Sequence, residues 1–196
     1  MLNRLIIASN NAHKISELKS ILSDRFDEIL SVKDAGIDVE PEETGVTFEE
    51  NSLIKAQSVK NLKNDCAVIA DDSGLMVDAL DGAPGVYSAR FAGECCNDEA
   101  NNKKLLALMD GVTDRSAKYV AVVTLIDKDG KIYTGKGEVK GVILNEYQGK
   151  GGFGYDPLFL CNELNKTFAE VTADEKNSVS HRARAIKDLL NNLRNA

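Results

Sequence analysis

The chain has no C-x-x-C pair and only two histidines, His13 and His181. That excludes the ligand spacing of a structural zinc site. Its four cysteines are Cys66, Cys95, Cys96 and Cys161. The adjacent pair Cys95-Cys96 makes a strained bridge at best, so reduced thiols in a cytoplasmic protein are the expectation. No apolar run approaches membrane-spanning length, and Leu2–Ala8 is too short an apolar run for a signal peptide. Basic surplus is missing too. Lys and Arg number 24 against 31 Asp and Glu, a formal charge of −7, which argues against a nucleic-acid-coating surface. A local lysine cluster can still hold a small anion on an acidic protein. No serine, cysteine or threonine stands in an activated-nucleophile context, so covalent catalysis has no visible support. Low-complexity tracts, clear internal repeats and obvious linkers are absent as well.

What is present fits one domain over residues 1–196, long enough to bury a core at 43% hydrophobic and 28% charged residues. Leu2–Ala8 reads as a buried strand, followed by the polar turn Ser9–Lys14. Ile15, Leu18, Ile21 and Leu22 then recur at helical spacing. A short strand fits residues 28–32, and residues 38–45 form an acidic loop with Pro41 and Gly45. Thr47-Phe48-Glu49-Glu50 matches a capping box and opens a helix to about Leu62. Residues 81–93 read as a glycine- and proline-bearing loop, and Asn97 or Asp98 caps a helix through Met109. Tyr119–Ile126 reads as a central strand, Asp127–Gly130 as a turn, and Ile132–Val139 as the hairpin partner. A last helix spans about Ser180 to Leu193. Helices and strands alternate first and a hairpin follows, which predicts a mixed α/β sheet flanked by helices.

The stretch Val68-Ile69-Ala70-Asp71-Asp72-Ser73-Gly74 is the most informative. It reads as a buried strand delivering two carboxylates to its end, where the chain turns and α/β sheets bind ligands. An Asp-rich turn is the plainer alternative. In an extended strand Asp71 and Asp72 face opposite sides, and strand parity alone does not say which faces a ligand. Glu42 and Glu43 add carboxylates from the acidic loop. Mg²⁺ takes hard oxygen ligands, and one or two carboxylates plus substrate phosphates suffice.

Three further clusters carry polar chemistry. Ser9-Asn10-Asn11-Ala12-His13-Lys14 lies before a helix N-terminus, where anions are favoured, although the glycines of a P-loop are absent. The loop Gly149-Lys150-Gly151-Gly152-Phe153-Gly154-Tyr155-Asp156-Pro157 holds two aromatics between glycines. Either an exposed ring stacks on a nucleobase or both rings fold back into the core. Finally, His181 and Arg182 follow the good N-cap Ser180 and place positive charge in the first turn of the last helix. That placement opposes the helix dipole, and such rule-breaking favours a binding role.

Together with Glu42–Phe48, Ala70–Leu75 and Gly82–Arg90, these motifs resemble the inosine/xanthosine triphosphate pyrophosphatase family over nearly the whole length. The resemblance implies an ITPase-like α/β fold: an elongated mixed sheet flanked by helices, in two lobes with the active site in the cleft between them. It implies hydrolysis of ITP, dITP and XTP to monophosphate and pyrophosphate, with Mg²⁺ as cofactor. The expected partners are a small-molecule nucleotide and a second copy in a homodimer, with no nucleic acid and no membrane.

Residue by residue, the resemblance gives Ser9, Asn10, Asn11, Ala12, His13 and Lys14 the phosphates. Asp72 becomes the metal-linked residue that activates water, and Glu43 the second acidic residue near the metal, with Glu42 close enough to compete. Lys55 and Ser73 bind substrate. Phe153, Gly154, Tyr155 and Asp156 hold base and sugar, while Lys176, His181 and Arg182 read the base. Asn10 stands where the family usually has glycine; asparagine tolerates left-handed angles, so the turn is expected to survive. The rival readings are a nucleotide sensor without hydrolysis, which needs no paired carboxylates, and a Maf-type pyrophosphatase of different base preference. Asp72 and Glu43 speak against the first, Ser180-His181-Arg182 against the second.

Overall fold

Continuous apolar runs, Leu5–Ala8 and Ala67–Ala70, build the first strands of the sheet. The computed structural model describes residues 2–39, 41–93 and 97–195, with Leu2 and Asn3 described by backbone only. Cys95 and Cys96 lie outside the described residues, while Cys66 and Cys161 are buried free thiols. β1 (Leu2–Ile7) runs parallel to β2 (Phe26–Ser31) and to β3 (Ala67–Val77). Parallel neighbours need long crossovers, and α1 (Ala12–Leu22) and α2 (Phe48–Lys60) supply them. β4 (Ser116–Ile126) and β5 (Ile132–Ile143) are neighbours joined by a tight turn. There the Asp127 carboxylate accepts the Asp129 and Lys131 amides at 2.9 and 2.8 Å. β6 (Phe159–Cys161) and β7 (Lys166–Thr167) follow antiparallel. The result is one mixed seven-stranded sheet of order β2-β1-β3-β4-β5-β6-β7. The remaining helices are α3 (Asp98–Leu108), α4 (Ala173–Val179) and α5 (His181–Arg194).

The chain divides into two compact units. One holds residues 1–72, 121–137 and 182–196; the other holds 73–120 and 138–181. The first unit has a core on each face of its strands. On one face Leu5, Ile7, Ala67 and Ile69 pack with Leu18 and Leu22 of α1 and Ala185, Ile186 and Leu189 of α5. On the other, Ile6, Ala8, Val68 and Ala70 pack with Ala56 and Val59 of α2. Odd and even positions thus separate cleanly, as the period of two requires. Gly135 lets β5 run directly under α5, because a Cβ there would collide with the Ala185 carbonyl and Leu189. The second unit has its own core, in which Leu75, Val77, Leu105, Met109, Tyr119, Val139, Phe159 and Phe168 are all buried.

Several expectations hold and others are corrected. The Thr47–Glu50 capping box forms reciprocally at 3.1 and 3.2 Å. A second one, unforeseen, joins Thr172 and Glu175 at α4. Asn97, not Asp98, caps α3 by accepting the Ala100 amide at 3.0 Å. The chain does not turn after Asp72: β3 continues through Ser73 to Val77. The paired aspartates are therefore mid-strand, because Leu75 and Val77 have core to fill beyond them. Residues 81–93, expected as a loop, include a 3-10 segment at Gly85–Arg90. Among the described residues no helix is long and apolar enough to cross a membrane.

Candidate active site

The two cores of the first unit decide where its carboxylates go. Asp71 continues the odd-numbered face of β3, toward α1 and α5. There it meets Lys14 Nζ at 2.7 Å and Arg182 through Nε at 3.1 Å and Nη2 at 3.3 Å. Arg182 is 1% exposed and also donates to Glu17 of α1. Burial alone pushes the Asp71 carboxyl pKa up. The Arg182 and Lys14 charges outweigh that and hold it well below the usual carboxylate range. Burial works against the Arg182 charge in the same way, and Asp71 and Glu17 more than offset it.

Asp72 continues the even face, toward α2. Its Oδ1 accepts Lys55 Nζ at 2.7 Å, and the same ammonium lies 3.2 Å from Glu43 Oε1. Its Oδ2 is buried without a hydrogen-bond partner among the described residues. Burial pushes the Asp72 carboxyl above its usual pKa despite Lys55. Lys55, desolvated as well, is nevertheless held above its ordinary value by Asp72 and Glu43. The nearby lysine charges do not fully compensate the buried Asp72, whereas the surrounding carboxylates do compensate Lys55. Glu42 is exposed, and Glu43 is the residue that reaches Lys55.

The loop before α1 is organised by its own side chains. Ser9 Oγ accepts the Asn11 amide at 3.2 Å, and Asn11 Oδ1 accepts the His13 and Lys14 amides at 3.0 and 3.1 Å. Asn11 is thus the N-cap, and it takes up amides that an anion would otherwise use. Ala12 and His13 are exposed. The only non-glycine residues with positive φ among those described are Asp81 and Asn165. Asn10 therefore needs no left-handed backbone, and replacing glycine there adds no strain.

The second unit presents the aromatic cluster. Asp156 is buried, accepting Lys176 Nζ at 2.7 Å and the Phe153 amide at 3.0 Å on Oδ2, and the Tyr119 hydroxyl at 3.3 Å on Oδ1. The Lys176 ammonium also lies 4.6 Å from the Phe153 ring centroid. Gly152 has φ +73°, and a Cβ there would run into the Asp156 carboxylate. Phe153 is half-buried and borders an open cavity of about 440 Å³ with Asp98, Asn102, Lys103, Tyr147 and Lys150. Asn102 Nδ2 donates to the Gly154 carbonyl at 2.9 Å and Asp98 accepts the Gly154 amide at 2.6 Å. Of the two aromatics, Tyr155 turns into the core, where its hydroxyl donates to the Ser88 carbonyl at 2.8 Å. Its side chain is a structural anchor, and of the two rings only that of Phe153 keeps partial exposure. His181 is buried and stacks on Tyr119 at 4.8 Å with an 11° interplanar angle. Ser73 is half-exposed on β3.

Sequence reasoning missed Glu17, Asp98, Asn102 and Tyr119. Glu17 lies one helical turn after His13 and Lys14, the only signal available. Tyr119 reads as an ordinary β-former.

Residues 5–192 match the Ham1 family model. The chain belongs to the Ham1 family. It is 49% identical to a dITP/XTP pyrophosphatase of Clostridium perfringens, with 98% of each chain covered. It is 47% identical to a dITP/XTP pyrophosphatase of Geobacter sulfurreducens, over 98% of this chain and 97% of the other. The Staphylococcus aureus Ham1 protein superposes with a TM-score of 0.86 at 42% identity, covering 98% of this chain and 99% of the other. The motifs that carried the resemblance thus belong to a chain that is Ham1-like from end to end.

Proposed function

We propose that this Ham1 protein hydrolyses noncanonical purine nucleoside triphosphates, ITP, dITP and XTP, to the monophosphate and pyrophosphate. The observation that carries the reading is the Asp72–Lys55–Glu43 group, with a buried carboxylate oxygen on Asp72 that has no hydrogen-bond partner among the described residues. A sensor that only binds nucleotide has no use for such an oxygen. A pyrophosphatase does, because it needs a base or metal ligand there. The near-full-length likeness to dITP/XTP pyrophosphatases supports the substrate class.

In this reading Lys14 and Lys55 face the triphosphate, which carries about four negative charges near neutral pH. Ser9 to His13 and Ser73 line the phosphate path. Asp72 holds and deprotonates the attacking water at the α-phosphorus, and its upward-shifted carboxyl makes it a better base than an ordinary aspartate. Pyrophosphate leaves. Magnesium fits the donor set, because Asp72 Oδ2 and Glu43 are hard oxygens and Mg²⁺ takes few protein carboxylates. When bound, it neutralises charge on the phosphates and lowers the pKa of bound water. Phe153 stacks on the purine, beside a cavity of a size that suits a base. Gly154 and Asp156 shape the loop, Tyr155 anchors it, and Lys176 and His181 form the base-reading cassette, whereas Arg182 pairs its guanidinium with Asp71 and Glu17. A hydrogen-bond donor facing the 6-position pairs with the oxygen of hypoxanthine or xanthine and is mismatched against the amino group of adenine. The protein acts as one catalytic domain, 1–196, in a cytoplasmic homodimer.

Pyrophosphate release with ITP, XTP, dITP, ATP and GTP, with and without Mg²⁺, tests this. Turnover of the first three that stops with EDTA is expected. Equal turnover of all five removes the specificity claim. Binding without hydrolysis of any of them makes the protein a sensor.

A further inference from the structure

Tyr119 of β4 is 7% exposed and sits among apolar neighbours, yet it carries a hydroxyl into the core. Burying a hydroxyl costs free energy unless it is hydrogen-bonded. A phenylalanine would fill the same slot, as Phe159 and Phe168 beside it do. The hydroxyl has one visible use. It donates to Asp156 Oδ1 at 3.3 Å, while Asp156 Oδ2 accepts the Phe153 amide and the Lys176 ammonium. The ring has another. One side stacks nearly parallel on His181 at 4.8 Å and 11°. It also runs nearly parallel to Phe168 at 6.0 Å and 15°, and meets Phe159 edge-on at 4.7 Å. A single side chain therefore touches both the carboxylate that shapes the Phe153 loop and the imidazole that opens α5.

We propose that Tyr119 is a positioning residue for base recognition, tying the Phe153–Asp156 loop and His181 to β4 in one fixed arrangement. The proposal rests on the reading that this loop and His181 meet the purine. Without the hydroxyl, Asp156 keeps Lys176 on Oδ2 but loses the Tyr119 donor on Oδ1, so one of the contacts that fix its carboxylate is gone. The Phe153 amide then loses a fixed acceptor, and the ring it carries loses its fixed plane. Burial, and then the neighbouring Asp156 charge, raise the Tyr119 phenol well above its usual pKa, so the proton stays on the oxygen across the working range.

The experiment uses the full chain with Tyr119→Phe, Phe153→Ala and the double variant. Steady-state kinetics with ITP are paired with calorimetric binding of IMP and with thermal melting. Tyr119→Phe is expected to melt near the wild type. Its KM for ITP and its Kd for IMP should rise about 2- to 10-fold, the range of one lost hydrogen bond, with kcat within about twofold. In the Phe153→Ala background the same change should add little, because Tyr119 acts through that ring. Additive losses, or losses that track a lower melting temperature, assign Tyr119 to the core alone and overturn the proposal. So does an unchanged KM in Tyr119→Phe when Phe153→Ala raises it. If Phe153→Ala itself leaves KM and Kd unchanged, the base-stacking reading fails, and the proposal with it.

Discussion

Asp71 and Asp72 are adjacent in β3, yet their carboxylates enter separate charge networks. Asp71 meets Lys14 and Arg182 on the α1/α5 face, and Asp72 meets Lys55 on the α2 face. The division follows from the alternation of side chains along a strand. It also removes the repulsion that two neighbouring carboxylates would suffer if they shared a face. One is paired with two cations; the other keeps a buried oxygen without a hydrogen-bond partner among the described residues.

Asp72→Asn should lower turnover about 10²- to 10⁴-fold, the usual contribution of a positioned base. The fold should survive. In EDTA at pH 7 the variant should melt at or above the wild-type temperature, because burial disfavours the Asp72 charge that the amide removes. Pyrophosphate release and melting curves check both halves. Full activity would move the base to Asp71.

Asp71→Asn should act mainly on stability. It leaves Lys14 and part of Arg182 buried without their carboxylate, and breaking a buried pair costs about 3–5 kcal/mol. Urea unfolding at pH 7 measures it. Wild-type stability would mean that the pair contributes nothing net.

Acid should separate the two aspartates. Asp71 has a folded pKa below its unfolded value of about 4. Its contribution is therefore present above that pH and lost as pH falls toward the folded value. Asp72 has a raised folded pKa, so its contribution is present below about pH 4 and lost as pH rises through the folded value. Urea midpoints measured from pH 7 to 2 should show a shallower acid loss in Asp71→Asn than in the wild type. Asp72→Asn should lack the gain that the wild type makes as pH falls from 7 toward 4.

Gly152→Ala combines a positive φ of +73° with a Cβ aimed at the Asp156 carboxylate. The loop must shift, and Phe153 with it. KM for ITP should rise by up to the value of one base–aromatic stack, about 1–3 kcal/mol, while kcat changes less. An unchanged KM would separate the loop from base binding.

The sequence by itself determined the local grammar of this protein. Apolar runs placed the strands. Thr47 with Glu50 placed the start of α2, and Asp127–Gly130 placed the hairpin, because capping and turn chemistry act over three or four residues. The order of six short motifs was enough to place the chain in its family. Only the tertiary structure decided which side chains act together. Parity along β3 said that Asp71 and Asp72 part company, but not which helix lay on which side. The crossovers through α1 and α2, with α5 packed on the α1 face, settled that, bringing Lys14 and Arg182 to one face and Lys55 to the other. The same holds for Arg182, which sequence alone marks as a charge opposing a helix dipole. In the fold it is neutralised by Asp71 and Glu17, partners 111 and 165 residues away. Tyr119 carries no local signal at all, since its role arises from Asp156 of the Phe153 loop, Phe159 of β6 and His181 of α5, which meet it only when the chain has folded.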